Sequence, residues 1–324
     1  MTRSGALVPT TAIVMSLAFC NLTAAQPAYP HKTVRLISPF PAGGGNDILS
    51  RLLAQKFTES WGQQVIVENR PGGNTIIASE ALVKSPPDGY TILCAGSAHV
   101  LVPLVMPTRF SPNDFAPIST FAKGELILVL HPSVPVNTVR DLIALAKSRP
   151  GQLNYATYGT ATTSHLGMEL FSLLAGVKMQ HIPYKGGAPA ITDLLGGQVD
   201  MYLSVVPSVI GHIKSTRLKA VAVSGEARLP VLPQVPTFTE AGLPGVEVKT
   251  WHSILAPAAT PKDIIDRISS ELARVVGLPD VQAKLAAQGV QPFYTPTEQF
   301  AVLLQADRER YSKIIKAANI KFDN

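Results

Sequence analysis

The sequence predicts an α/β fold in two lobes, and three observations carry that reading. Short apolar runs alternate with amphipathic stretches, the pattern of parallel sheets covered by helices. Two of the joins read as a strand, a small-residue turn and a helix in immediate succession. At 324 residues the chain also exceeds what one hydrophobic core usually serves.

The first join is the most informative segment. Val34, Leu36 and Ile37 are the apolar run of a strand, Pro39 and Pro41 stop it, and Gly43, Gly44 and Gly45 allow close backbone approach. Asn46 and Asp47 suit the first turn of a helix whose apolar face is Ile48, Leu49, Leu52, Leu53 and Phe57. Such a helix start favours an anion, although the same residues also suit plain chain reversal. Strands are then expected at Gln64–Val67 and Tyr90–Ala95, with a helix at Ile76–Val83 between them. Glu125–His131 reads as a strand and Val139–Ser148 as a helix closed by Arg149-Pro150-Gly151. The second join follows: strand Leu153–Thr157, the polar turn YGTATTS, and a helix from near His165. Val199–Leu203 and Leu218–Ser224 are further strands, Pro257–Pro261 a linker, and 261–276, 279–288 and 297–318 three closing helices.

Composition narrows the class. Arg3, the apolar stretch Thr11–Phe19 and Thr23-Ala24-Ala25 resemble a secretory signal over residues 1–25, cut before Gln26 to leave 324 − 25 = 299 residues. Bulky Phe19 before Cys20 speaks against lipidation. No other run approaches the ~18 apolar residues that cross a bilayer. Loss of Arg3 lowers the formal charge from +6 to +5, a modest excess that suits small anions and resembles no nucleic-acid face. Cys94 is then the one remaining cysteine, so no intramolecular disulfide forms, and a buried apolar role is its default. G-x-S-x-G, Walker A, H-E-x-x-H and paired-cysteine motifs are missing, and the seven histidines are scattered, so no metal or cofactor is expected.

Six motifs in order, among them TVRLISPFPAGGGND, WGQQVIVENRPGG, SPPDGYTIL and HIPYKGGAPAITDLLGGQVD, resemble the substrate-binding proteins of tripartite tricarboxylate transporters, the Bug family. The resemblance spans the whole mature chain. It implies a two-lobed periplasmic-binding-protein fold of type II, closing like a flytrap, each lobe a mixed, mostly parallel sheet flanked by helices. It also implies a periplasmic monomer without catalysis that delivers a small di- or tricarboxylate or aromatic acid to membrane permease subunits. Residues 26–120 and 231–324 are expected to build one lobe and 121–230 the other, hinged at Leu126–Leu130 and Lys219–Val223. A role beside a two-component sensor, or an exported hydrolase, are the alternatives.

Carried onto this chain, the family's carboxylate grip points to Pro41, Ala42, Gly43 and Asp47 in the first turn and to Thr160, Thr162 and Thr163 in the second. His165 matches a common His-Leu pair, with capping or packing as its favoured role. Strand-end placement adds Asn74, Thr75, Ser97 and Ala98. Three departures stand out. Ala161 replaces a glycine and disfavours positive φ. Ser204 stands where relatives place an aspartate, which favours a ligand without an ammonium group. His252 replaces a tyrosine, where it either titrates near neutral pH or lies on the outer surface. The acid is expected to be held by neutral donors, with Lys185 nearby but without an arginine clamp.

Overall fold

The structure, a computed structural model, describes residues 29–317 together with Met1, Thr2 and Asn319. The expected signal, apart from Met1 and Thr2, and Cys20 lie outside the described residues. The chain runs β1 (Val34–Ser38), α1 (Gly45–Trp61), β2 (Val65–Asn69), α2 (Ile76–Val83), β3 (Thr91–Gly96), α3 (Ala98–Val105) and β4 (Phe115–Leu130). It continues through α4 (Val139–Ser148), β5 (Asn154–Thr157), α5 (Thr163–Ala175), β6 (Gln180–Pro183), α6 (Gly187–Leu195), β7 (Met201–Val205), α7 (Val206–Lys214) and β8 (Lys219–Val223). The last part holds β9 (Lys249–Pro257), α8 (Lys262–Val276), α9 (Pro279–Ala287), β10 (Val290–Thr295) and α10 (Thr297–Ala317).

β4 organises everything else. Residues 115–125 pair antiparallel with β9, and 120–124 also carry β10. From Leu126 to Leu130 the same strand pairs instead with β7 and β8. The first half thus holds β2, β1, β3, β9 and β10, and the second β7, β5, β6 and β8, with parallel pairing among β1–β3 and among β5–β7. This is the two-part α/β architecture of a type II binding protein. On the first half Leu49, Leu53 and Phe57 of α1 meet Leu36 of β1, Ile92 of β3 and Ile268 of α8, all within one buried cluster. Cys94 lies free in buried β3, where burial pushes its thiol up to about 12.

The pairing departs from the expected division at both crossings. Phe121–Gly124 belong to the first half, because Ala122, Lys123 and Gly124 pair with β9 and β10. Residues 231–248 pack on the second half: Thr237 bridges Val223, Phe238 meets the Phe171 ring at 6.1 Å, and Ser224 Oγ donates to Val248 O. Strand pairing and packing therefore change partner near 125 and 248 instead. Six elements go unread in the sequence. α3 carries Pro103 inside it, α7 follows β7 without a turn residue between them, and α6, β6, β9 and β10 are short or lie in segments without clean alternation.

Candidate anion-binding cavity

Four helices begin where strands of the two halves end, and their first turns converge. α1 brings Gly44, Gly45 and Asn46; α3 brings Ser97 and Ala98; α6 brings Gly187; α7 brings Val205 and Ser208. Together they wall a cavity of about 40 Å³ between the halves. None of the four has a side-chain cap. The first N–H groups of a helix have no partner in their own helix, and the peptide dipoles add positive potential there. Glycine matters at one of these starts: a Cβ at Gly45 would stand 2.6 Å from Val205 Cγ2 and 3.0 Å from Ser208 Oγ. Only a bare backbone lets α1 approach α7 this closely.

Three buried side chains in the same wall lack a hydrogen-bond partner among the described residues: Tyr202 Oη, Ser208 Oγ and His252 Nε2. A buried polar atom left unpaired costs about 1–3 kcal/mol, so three around one cavity make it the candidate ligand site. The His252 tautomer follows from its neighbours. Cys94 O can only accept, so the Asn46 amide turns Nδ2 towards it at 3.3 Å, and that same Nδ2 lies 3.5 Å from His252 Nδ1. Asn46 Oδ1 meanwhile accepts from Ser38 Oγ at 2.9 Å. Nδ1 of His252 is thus an acceptor, and the ring proton sits on Nε2, which is buried without a partner among the described residues. Burial lowers the pKa of His252 to about 4, so the ring is a neutral donor at neutral pH. It lies neither on the outer surface nor in the neutral titration range.

The first turn braces this arrangement rather than lining it. Burial works to raise the Asp47 carboxyl, but hydrogen bonds from Arg51, from the Gly43 N–H and from Asn69 outweigh it and hold the group below the usual carboxylate range. Asp47 Oδ2 accepts from Gly43 N at 3.0 Å and from Arg51 Nε at 2.9 Å, and Oδ1 from Asn69 Nδ2 at 2.8 Å. Gly43 N–H is therefore already engaged. Pro41 packs against Gly186 at the start of α6, and neither it nor Ala42 stands in the wall.

The second turn is sealed. Thr162 Oγ1 caps α5 by accepting from His165 N at 3.4 Å and donates to Gly159 O at 2.7 Å, while Thr163 Oγ1 pairs with Tyr158 Oη. Thr162 and Thr163 are fully buried, Thr160 nearly so, and none of them reaches the cavity. Ala161 adopts φ +57° despite its methyl group. Burial, then the charge of His181, lowers His165 to about 3, and its ring stacks on His181 at 3.7 Å in a packing role. Ser204 is buried in β7, where its Oγ donates to Val205 O.

Of the expected residues, Ser97 and Ala98 line this cavity, while Asn74 and Thr75 line a separate chamber of about 260 Å³ beside it. Pro41, Ala42, Gly43, Asp47, Thr160, Thr162, Thr163 and Ser204 line neither. Sequence reading missed Phe40, Tyr158, Tyr202 and Ser208. The usable signal was one step along the chain, since α1 itself was expected and its first N–H groups belong to Gly45 and Asn46. No Lys, Arg, Asp or Glu is among the described residues that line the cavity.

A family model described as the tripartite tricarboxylate transporter family receptor matches residues 49–320. Protein BugT of Bordetella pertussis is 33% identical over 300 residues, covering 90% of this chain and 91% of its own. A protein of R. palustris solved with adipate superposes with a TM-score of 0.88 at 32% identity, covering 90% of this chain and 99% of that one. MatC of Rhodopseudomonas palustris, solved with bound malate, gives a TM-score of 0.84 at 26% identity, with 89% and 100% covered.

Proposed function

Since the chain belongs to the tripartite tricarboxylate transporter receptor family, we propose that it is a periplasmic receptor that closes over a small carboxylate in this cavity and hands it to a membrane permease. One observation carries the reading: four uncapped helix starts and three unpartnered buried side chains surround a cavity with no charged side chain among the described residues of its wall. Ser208 Oγ–H, Tyr202 Oη–H and His252 Nε2–H are donors to a carboxylate, and the open N–H groups of Gly45 and Asn46 add two more. The absence of an acidic group among the lining residues favours an acid without an ammonium group. Relatives solved with adipate and with malate are consistent with that class.

Closure follows from the strand crossings. Residues 29–125 with 249–317 form one lobe and 126–248 the other, and bending at β4 near Glu125 and at the link near Val248 opens the cleft. Glu125 pairs in register with Lys249, so the two crossings lie side by side and bend together. A hydrolase is disfavoured because Ser208 and His252 face one cavity without a hydrogen bond between them, leaving no activated nucleophile. Calorimetry of the mature protein against a carboxylate panel tests the reading. Binding by wild type, lost in His252→Phe, supports it; acids bound equally by both place the ligand elsewhere.

A further inference from the structure

The start of α3 separates two cavities. Ser97 and Ala98 line the candidate site, while His99, Val100 and Pro103, the next residues along the same helix, line another. That second cavity is built from α3, residues 110–117, β9 and α10, all from the first half of the molecule, and encloses about 420 Å³. Its size is in the range of small-molecule sites. None of its lining residues is shared with the cleft cavity or with the chamber beside it.

Its wall is apolar and rich in rings. The His99 ring lies parallel to Phe110, with centroids 6.0 Å apart, and edge-on to Phe115 at 4.5 Å. Nδ1 of His99 sits 3.4 Å from Ser79 Oγ, and burial lowers the ring's pKa to about 4, so it adds no charge at neutral pH. Charge enters from one helix. Ala301, Leu304, Gln305 and Arg308 line the cavity from α10 at i, i+3, i+4 and i+7, a single helix face. Arg308 is exposed and has no ion pair among the described residues. The adjoining Glu309 carboxylate accepts instead from Gln305 Nε2 at 2.9 Å. No other Lys, Arg, Asp or Glu is among the described residues that line the cavity.

We propose that this cavity is a second binding site, separate from the cleft, for an amphipathic anion: its apolar body packs against His99, Phe110 and Phe115, and its acidic head meets the Arg308 guanidinium. A short carboxylate lacks the body and a neutral hydrocarbon lacks the head, so the site selects for both together. It stands apart from the receptor reading, because the two sites have no residue in common.

Fluorescence titration with 8-anilinonaphthalene-1-sulfonate, set against its uncharged analogue N-phenyl-1-naphthylamine, tests it on wild type, Arg308→Gln and Ala301→Trp. Both substituted positions are exposed on α10, so neither change disturbs the core. Wild type is expected to bind one sulfonate per chain, about tenfold more tightly than the neutral analogue. Arg308→Gln should erase that difference and leave the neutral analogue's affinity as it was. Ala301→Trp places an indole in the cavity and should abolish saturable binding of both probes. Sulfonate binding that survives Ala301→Trp overturns the proposal, as does a tenfold preference that persists in Arg308→Gln. Sedimentation on the same samples adds one more outcome: a wild-type dimer that Ala301→Trp splits would make the cavity an interface between copies, and the anion site would be wrong.

Discussion

The helix that starts at Gly45 and the helix that starts at Thr163 each follow a sheet strand through a short turn of small residues, one in each half of the molecule. The first is open: Gly44 offers no side-chain cap, and Gly45 and Asn46 line a cavity. The second is closed, because Thr162 supplies the cap and a hydroxyl pair at Thr163 and Tyr158 fills the space in front of it. A helix start can satisfy its N–H groups from its own chain or hold them for a ligand. On the second half, α6 and α7 keep their starts open instead, with Gly186 and Val205 at the cap positions.

The comparison breaks most visibly at the close approach of α1 and α7. Gly45→Val adds a branched Cβ where the nearest atoms stand 2.6 and 3.0 Å away, so the halves cannot come together over a ligand. Carboxylate affinity in calorimetry should fall by more than about a hundredfold, roughly 2.8 kcal/mol or more. Circular dichroism should show both halves still folded. Retained affinity would mean that the cavity is not where the acid sits.

Next in size are the unpartnered donors. Tyr202→Phe and Ser208→Ala each delete one hydroxyl from the wall and should weaken binding about ten- to a hundredfold, the range of a hydrogen bond to a charged group. The same variants without ligand should be as stable as wild type or slightly more so, since each removes an unsatisfied buried group. A loss of stability without loss of affinity would assign these hydroxyls to the fold.

Much of this was legible in the sequence, and the limits have physical causes. β1, α1, β3, α4 and the closing helices declare themselves by periodicity and punctuation, and the order of motifs names the architecture. The cavity does not, because it is assembled from residues such as Asn46, Tyr202 and His252 that are distant in sequence and whose roles depend on partners. Asp47 enters the expected set through the family's first turn, and in the structure its carboxylate accepts from Arg51, Asn69 and the Gly43 N–H. The Thr-rich turn enters through the family's second turn, and its hydroxyls suit capping as well as they suit a carboxylate. The motif HIPYKGGAPA was visible, but that its glycines open a helix onto the cavity required knowing that Pro41 packs there.

A smaller effect separates the neutral donor at the open site from a charged one. His252 has its pKa lowered by burial from 6.5 to about 4, so the unfolded chain binds more protons than the folded one between those values. Stability therefore rises with pH across that window, and is lost as pH falls from about 6.5 towards 4. For this one group the loss is on the order of 3 kcal/mol at most. Thermal unfolding of wild type and His252→Gln from neutral to acid pH should converge as the pH drops. Parallel curves would mean that the ring is already charged in the folded protein.

The smallest expected effect is the most discriminating one, because it concerns a residue that sequence reading places at the ligand. Thr162 Oγ1 caps α5, is fully buried and does not reach the cavity. Thr162→Val keeps the shape and deletes the cap, which costs about 1 kcal/mol. In a protein of this size that corresponds to a fall in Tm of about 2–4 °C. Carboxylate affinity should stay within about threefold of wild type, since 1.4 kcal/mol separates each tenfold step and no donor to the ligand is lost. Unfolding and calorimetry on the same sample separate the two roles. A normal Tm with a tenfold loss of affinity would show that the second turn opens towards the ligand, and the contrast between an open α1 and a sealed α5 would then be wrong.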